Sequence, residues 1–354
     1  MTVLSRTLAP GSLVAGRLPT FTVPVAATAS LLVGFSLAAL LAGGNLAVAA
    51  VLAFGIHLAT MEIATRIVEG SRQASDRRAA TLIVSAFVLA LLPLGSVAWE
   101  ALSKGAGRFD IAFLTQSMRN VVGAGGGAAH AIYGTLWVTG AAALISVPIG
   151  LLTAIYLAEY GRGTRLAKSI TFFVDVMTGI PSIVAGLFAY SLMTLILGPG
   201  AKFGFSGSIA LSVLMIPVVV RSCEELLRLV PNELREAAYA LGVPKWVTIV
   251  RIVIPTAISG LVSGVILAIA RVIGETAPLL IAAGFTASLN NNLFENPMMT
   301  LPVFVFDSYA HPGADPTPYL DRAWAGALTL IAIVMVLNLI GRLIARRFAP
   351  KTGR

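Results

Sequence analysis

Within a long apolar run of this sequence lies Arg271-Val-Ile-Gly-Glu-Thr-Ala-Pro278, preceded by IPTAISGLVSGVILAIA and followed by LLIAAG. On a helix, Arg271 and Glu275 are i and i+4 and share one face. One reading is a self-neutralising pair, since a charge at mid-membrane costs at least ~2.5–3.5 kcal/mol. Pro278, however, removes the hydrogen bond that the Gly274 carbonyl would accept, so a kink is expected beside the pair. Kinks with polar groups line cavities in transporters, and Arg271, Glu275 and the adjoining Thr276 are placed on a substrate pathway. The planar fork of Arg271 suits an oxyanion, to which it donates two hydrogen bonds. An ionised Glu275 only accepts: it takes the proton of a partly protonated oxyanion and repels a fully deprotonated one such as sulfate. The pair therefore fits phosphate better than sulfate.

A second constellation is Ser222 to Ile252, SCEELLRLVPNELREAAYALGVPKWVTIVRI. Glu233 and Glu236 precede an alanine-rich turn, and Gly242 is placed to end a helix there. Pro244 then starts a second short helix through Trp246 to Val250, and Pro255 stands near the start of the next membrane helix. By periodicity this is either an interfacial amphipathic loop with Lys245 and Trp246 at the headgroups or an exposed helical elbow that something else grips. Arg221, at the end of the preceding span, either snorkels to the headgroups or acts at an exit. Asp175 either snorkels or pairs with Lys168 or Arg221. In GIPSIVAG, Pro181 is expected to kink its helix while the small residues permit close packing, and Ser182 offers a hydroxyl to a path.

Little else in the chain resembles catalytic chemistry. His57 sits alone in an apolar segment, and His130 and His311 fall in outward loops without partners at metal-ligand spacing. The single cysteine, Cys223, excludes an internal disulfide and argues against cysteine metal sites. GRGTRLAKS (161–169) lacks the glycine that a phosphate-cradling loop has before its lysine, so no nucleotide site is expected.

The elements that must position these residues are membrane helices. Of 354 residues, 57% are hydrophobic and 12% charged, with mean hydropathy +0.89, about half the charge of a soluble domain. Eight spans are expected, at roughly 25–42, 46–60, 79–100, 131–158, 170–197, 206–220, 253–283 and 322–343, in an all-α polytopic bundle. With both termini cytoplasmic, nineteen basic residues fall on inward segments and five on outward ones, leaving Arg271 inside the membrane; that asymmetry follows the positive-inside rule and accounts for the net charge of +9 without nucleic acid. The expected organisation is a tail and extra hairpin (1–65), a charged inward loop, third span and outward glycine-rich loop (66–130), a core (131–345) with its inward loop at 222–252, and a basic tail (346–354). The first apolar run is read as an anchor rather than a removed signal peptide.

Glu236-Ala237-Ala238, three residues, Gly242, nine residues, then Ile252-x-Ile254-Pro255 resembles the EAA loop of ABC-importer permeases, with Ile254 where that pattern has leucine. The resemblance implies a MetI-like permease core of about six spans whose loop docks on a cytoplasmic ATPase. It gives Glu236, Ala237, Ala238, Gly242 and Pro255 docking roles. ARVIGETAPLL, GIPSIVAGLF, AIYGTLWVT and NPMMTLPVFVF narrow the resemblance, over roughly 79–345, to the PstA-type permeases of phosphate importers. That family implicates arginine and glutamate at the positions of Arg271 and Glu275, and an arginine matching Arg221, in moving phosphate. The hairpin at 25–60 departs from its six-span pattern.

The resemblance further implies a bacterial plasma-membrane protein that partners a second, PstC-like permease, a dimeric PstB-like ATPase and an extracytoplasmic PstS-like phosphate-binding protein. ATP and Mg would be bound by the ATPase and no cofactor by this chain. Rival expectations are a molybdate or sulfate permease of the same architecture, an ion-coupled carrier using Glu275, and a scaffold without transport. The carrier leaves the docking loop without purpose; the scaffold leaves the Arg271/Glu275 pair unexplained.

Overall fold

The computed structural model describes residues 16–348, and the chain divides into two compact units at Val97 and Ala98. The described residues form helices and connecting segments, as an apolar solvent demands, because helices satisfy their own backbone hydrogen bonds. Among the described residues seven helices are long and apolar enough to cross a membrane, and a bent pair makes an eighth if it counts as one span.

The first unit holds α1 (Thr22–Ala42), α2 (Leu46–Val68) and the first part of α3 (Ser71–Gly105). α1 and α2 form the expected hairpin, and Asn45 starts α2 by accepting the Ala47 N–H at 2.9 Å. The segment 66–78, expected to be a charged loop, is mostly helix: α2 runs to Val68 and α3 starts at Ser71. Its charges pair locally, Arg77 with Glu69 at 2.7 Å and Arg66 with Glu62 at 2.7 Å, so they do not force an extended loop.

The second unit holds α4 (Ile111–Thr115), α5 (Ala129–Ile155), α6 (Arg165–Thr178), α7 (Ser182–Leu197), α8 (Gly204–Arg228), α9 (Asn232–Ala240), α10 (Lys245–Thr248), α11 (Ile254–Val272), α12 (Ala277–Ala282), α13 (Leu301–Ala310) and α14 (Thr317–Phe348). α5 and α8 form its centre, with Val138 and Ala142 of α5 and Leu211, Met215 and Val219 of α8 wholly buried. Two seryl hydroxyls on α8 turn back to their own helix, Ser208 Oγ donating to Gly204 O at 3.2 Å and Ser212 Oγ to Ser208 O at 2.8 Å, which satisfies these polar atoms in an apolar interior.

Two segments between the expected spans, 101–130 and 284–321, hold helix and buried contacts. Buried Arg322 of α14 donates to the carbonyls of Gly123 and Gly125, and Arg108 donates to that of Gly126 at 2.6 Å, so the glycine-rich stretch is held by its own carbonyls. His130, expected in a loop, is buried in the first turn of α5, its ring edge-on to Phe304 at 5.6 Å. Within 285–321 lies α13, whose first turn is capped from α5: Leu301 N–H donates to Thr135 Oγ1 at 2.7 Å.

The expected second short helix after Pro244 is not separate. α10 passes through a π-turn at Ile249–Val253 directly into α11. Pro255 lacks the N–H that would bond residue 251, and the wider π-turn immediately before it accommodates that gap.

Candidate functional site

Two membrane helices of the second unit are broken, and the breaks meet. The span expected at 170–197 is two helices, α6 and α7, at 107° to one another. Pro181 disfavours helical backbone at Ile180 and supplies no N–H, so the chain turns at Gly179–Pro181 instead of merely kinking. The span expected at 253–283 also stops early, because α11 ends at Val272 and α12 starts at Ala277 with Pro278 in its first turn. The two breaks touch where Gly186 of α7 lies on Pro278: a Cβ at Gly186 would stand 2.6 Å from Pro278 Cα. No side chain larger than hydrogen fits there without moving one helix.

Between the breaks is a cavity of about 230 Å³ lined by Thr178, Ser182, Arg271 and Glu275, with Leu214 and Val218 of α8 as apolar wall. Three of the expected pathway residues, Arg271, Glu275 and Ser182, thus share one cavity. The expected i, i+4 helical pair does not exist, because the helix ends between its members; Glu275 N–H instead donates to Val272 O at 3.1 Å. The ion pairs among the described residues include neither Arg271 nor Glu275. Their charges face the cavity rather than cancelling each other. α7 begins at Ser182 on the same wall, and the first N–H groups of a helix have no intrahelical partner, so its positive end adds to Arg271. Thr276 lies in the α11–α12 break, half-buried and beside Glu275, without lining this cavity.

Arg221 is outside the cavity too. It sits on α8 one turn beyond Val218, touching Asp175 of α6 and, through Nη1, Glu224 at 3.2 Å. Of the two partners considered for Asp175, Arg221 is the one it takes.

The first helix of the elbow and its glycine turn form where the sequence places them. α9 ends in a paired-bond cap: Gly242 N–H donates to Tyr239 O at 2.9 Å and Val243 N–H to Ala238 O at 3.1 Å. Gly242 has φ +75°, a left-handed conformation that glycine adopts without strain. Ala238 is buried, whereas Glu236, Ala237 and Trp246 are exposed on the elbow. Pro255 lies just past the π-turn, in the first turn of α11.

One residue of the elbow escaped the sequence reading. Arg235 is 6% exposed and donates from Nη2 to Glu159 Oε1 at 2.6 Å, from Nη2 to Leu227 O at 3.0 Å and from Nη1 to Val230 O at 2.6 Å. One guanidinium therefore ties α9 to the π-turn that ends α5 and to the end of α8. The only sequence signal was an acidic residue, Glu159, at the end of an apolar span, and spacing does not connect positions 159 and 235.

The family model for binding-protein-dependent transport system inner membrane components matches residues 146–354. The chain is 47% identical over 278 residues to phosphate transport system permease protein PstA 1 of Mycobacterium tuberculosis H37Rv, covering 77% of this chain and 88% of that one. It is 39% identical over 302 residues to PstA of Yersinia pestis, covering 83% of this chain and 96% of that one. Among solved structures it is similar in fold to an inward-facing form of the MetNI methionine ABC transporter, with TM-score 0.53 and 19% identity over 63% of this chain and 96% of that one.

Proposed function

The chain belongs to the family of binding-protein-dependent transport inner membrane components and, within it, to the PstA-type permeases, and on that premise we propose that it carries inorganic phosphate across the plasma membrane of its cell as one subunit of an ATP-driven importer. The observation that carries this reading is the cavity between two helix breaks, with Arg271 and Glu275 on its wall and neither among the ion pairs of the described residues. An arginine exposed on the wall of a cavity at a helix break, and outside the ion pairs of the described residues, is suited to bind an anion there. Arg271 donates two parallel hydrogen bonds to phosphate oxygens, the first N–H groups of α7 add positive potential, and Glu275 accepts the proton that phosphate retains and sulfate lacks. Because the pathway must release as well as bind, one arginine facing a carboxylate gives the modest affinity that conduction needs.

ATP and Mg²⁺ belong to a separate ATPase dimer that grips the elbow at Glu236, Ala237 and Gly242. Ala238 packs inward and supports that surface. Closure of the ATPase moves α9, and the Arg235 contacts hand the movement to α5 and α8. A second, PstC-like permease completes the translocation path, and an extracytoplasmic phosphate-binding protein delivers the ion. Both termini are cytoplasmic, in line with the distribution of Lys and Arg along the sequence.

The test is ATP-dependent uptake of labelled phosphate by the complete complex in vesicles, with and without excess sulfate. Uptake that resists sulfate in the wild type and is lost in Arg271→Ala supports the reading. Carriage of sulfate or molybdate in place of phosphate removes the substrate and leaves the architecture.

A further inference from the structure

α6 and α8 run antiparallel, and their facing residues form successive rungs. Thr178 and Val218 line the helix-break cavity. One turn further along both helices, Asp175 meets Arg221. From Asp175 onward lies a second cavity, of about 370 Å³, walled by Arg162, Lys168, Thr171, Asp175, Glu224 and Arg228. The Asp175–Arg221 contact thus stands between the two cavities, at the point where an ion leaving the first would enter the second.

The two carboxylates on Arg221 are not equivalent. Glu224 is 5% exposed and is also held by Arg228 at 2.6 Å, so it is fixed from two sides. The Asp175 side chain is 59% exposed and touches Arg221 alone among the ion pairs of the described residues. An ion pair so exposed is weak, and a more highly charged anion displaces its carboxylate. Displacing Asp175 frees the Nη2 edge of Arg221 while Glu224 holds the rest of the guanidinium in place.

We propose that Asp175 is a tethered stand-in for the transported anion: it occupies Arg221 between transits and yields it to phosphate, which then passes to an exit site formed by Arg162, Lys168 and Arg228. This rests on the phosphate reading above. The three exit cations are mostly exposed, so the site holds an oxyanion briefly and lets it go, as an exit requires. The phosphate of an anionic lipid headgroup has the same chemistry, and the experiment separates the two sources.

The complete complex is reconstituted with ATP in the vesicle lumen, and inhibition of uptake by unlabelled inorganic phosphate in that lumen is measured. Removing the competing carboxylate in Asp175→Asn lowers the half-inhibitory luminal concentration roughly fivefold, the worth of one exposed pair, and Asp175→Glu restores it. Lys168→Gln and Arg228→Gln raise it, and they carry the test should Asp175→Asn fail to assemble. A structural role for Asp175 would slow uptake without making luminal phosphate a better inhibitor. The proposal is overturned by unchanged inhibition in Asp175→Asn, or by Lys168 and Arg228 effects that vanish in vesicles lacking anionic lipid. Absence of ATP-driven phosphate uptake in the wild type would instead remove the transport reading itself.

Discussion

Arg235 and Glu159, seventy-six residues apart, form a buried ion pair in which Nη2 lies 2.6 Å from Oε1 and both side chains are under 9% exposed. The guanidinium has other acceptors, including the carbonyls of Leu227 and Val230. It therefore joins the exposed elbow to the ends of two membrane helices through one rigid fork.

Removing one partner leaves the other charged and buried. Glu159→Ala is expected to destabilise the subunit by about 3–5 kcal/mol, seen as a lower unfolding temperature of the detergent-solubilised complex. Arg235→Lys keeps the charge but loses the forked geometry. It is expected to retain ATP hydrolysis and lose most of the phosphate carried per ATP; equal losses of both would count against coupling through this contact.

Arg271→Lys keeps a cation in the helix-break cavity but not paired donation. Charge-assisted hydrogen bonds of ~1.5–3 kcal/mol place the drop in uptake at roughly ten- to hundredfold, with complex assembly unchanged. Wild-type uptake by this variant would mean that point charge, not forked recognition, is what the site uses.

Glu275→Gln replaces an acceptor that repels deprotonated oxyanions with an amide that also donates. Sulfate is expected to compete with phosphate for uptake in this variant and not in the wild type. A selectivity that survives the change would assign discrimination to another residue.

At Gly186 even a methyl group meets the backbone of Pro278, with Cβ to Cα at 2.6 Å. Gly186→Ala is expected to cost about 1–3 kcal/mol through overpacking and to lower uptake by separating the two breaks. Thermal unfolding and transport should therefore fall together.

Gly242 has open space around an added Cβ, so the constraint there is its φ of +75° and not packing. Gly242→Leu pays ~1–2 kcal/mol for left-handed backbone, whereas Gly242→Asn pays less because asparagine visits that region. Co-purification of the ATPase should be weakened by leucine and largely kept by asparagine.

The elements carrying local signals were legible in the sequence. The apolar blocks announced membrane helices, GGN marked the first hairpin, and the glycine at 242 marked the end of α9, because each depends on composition or on a few adjacent residues. Proline at 181 and 278 announced disturbances of the helices. Their size was not legible: whether a proline kinks a helix or ends it depends on whether neighbouring groups can satisfy the freed backbone. That is why Arg271 and Glu275, at helical spacing, are not a helical pair.

What the sequence determined by itself is the class of molecule, the helical elbow with its glycine cap, and the residue types that suit an oxyanion. All of these follow from hydropathy, backbone preference and side-chain chemistry within a short window. Only the tertiary structure decided which of those residues work together. It brought Ser182 of one broken helix to the cavity shared by Arg271 and Glu275, gave Asp175 to Arg221 rather than Lys168, and buried Arg235 on Glu159. The physical reason is that burial makes a charge seek a partner wherever packing supplies one, and packing is set by the three-dimensional meeting of helices whose distance along the chain carries no such information.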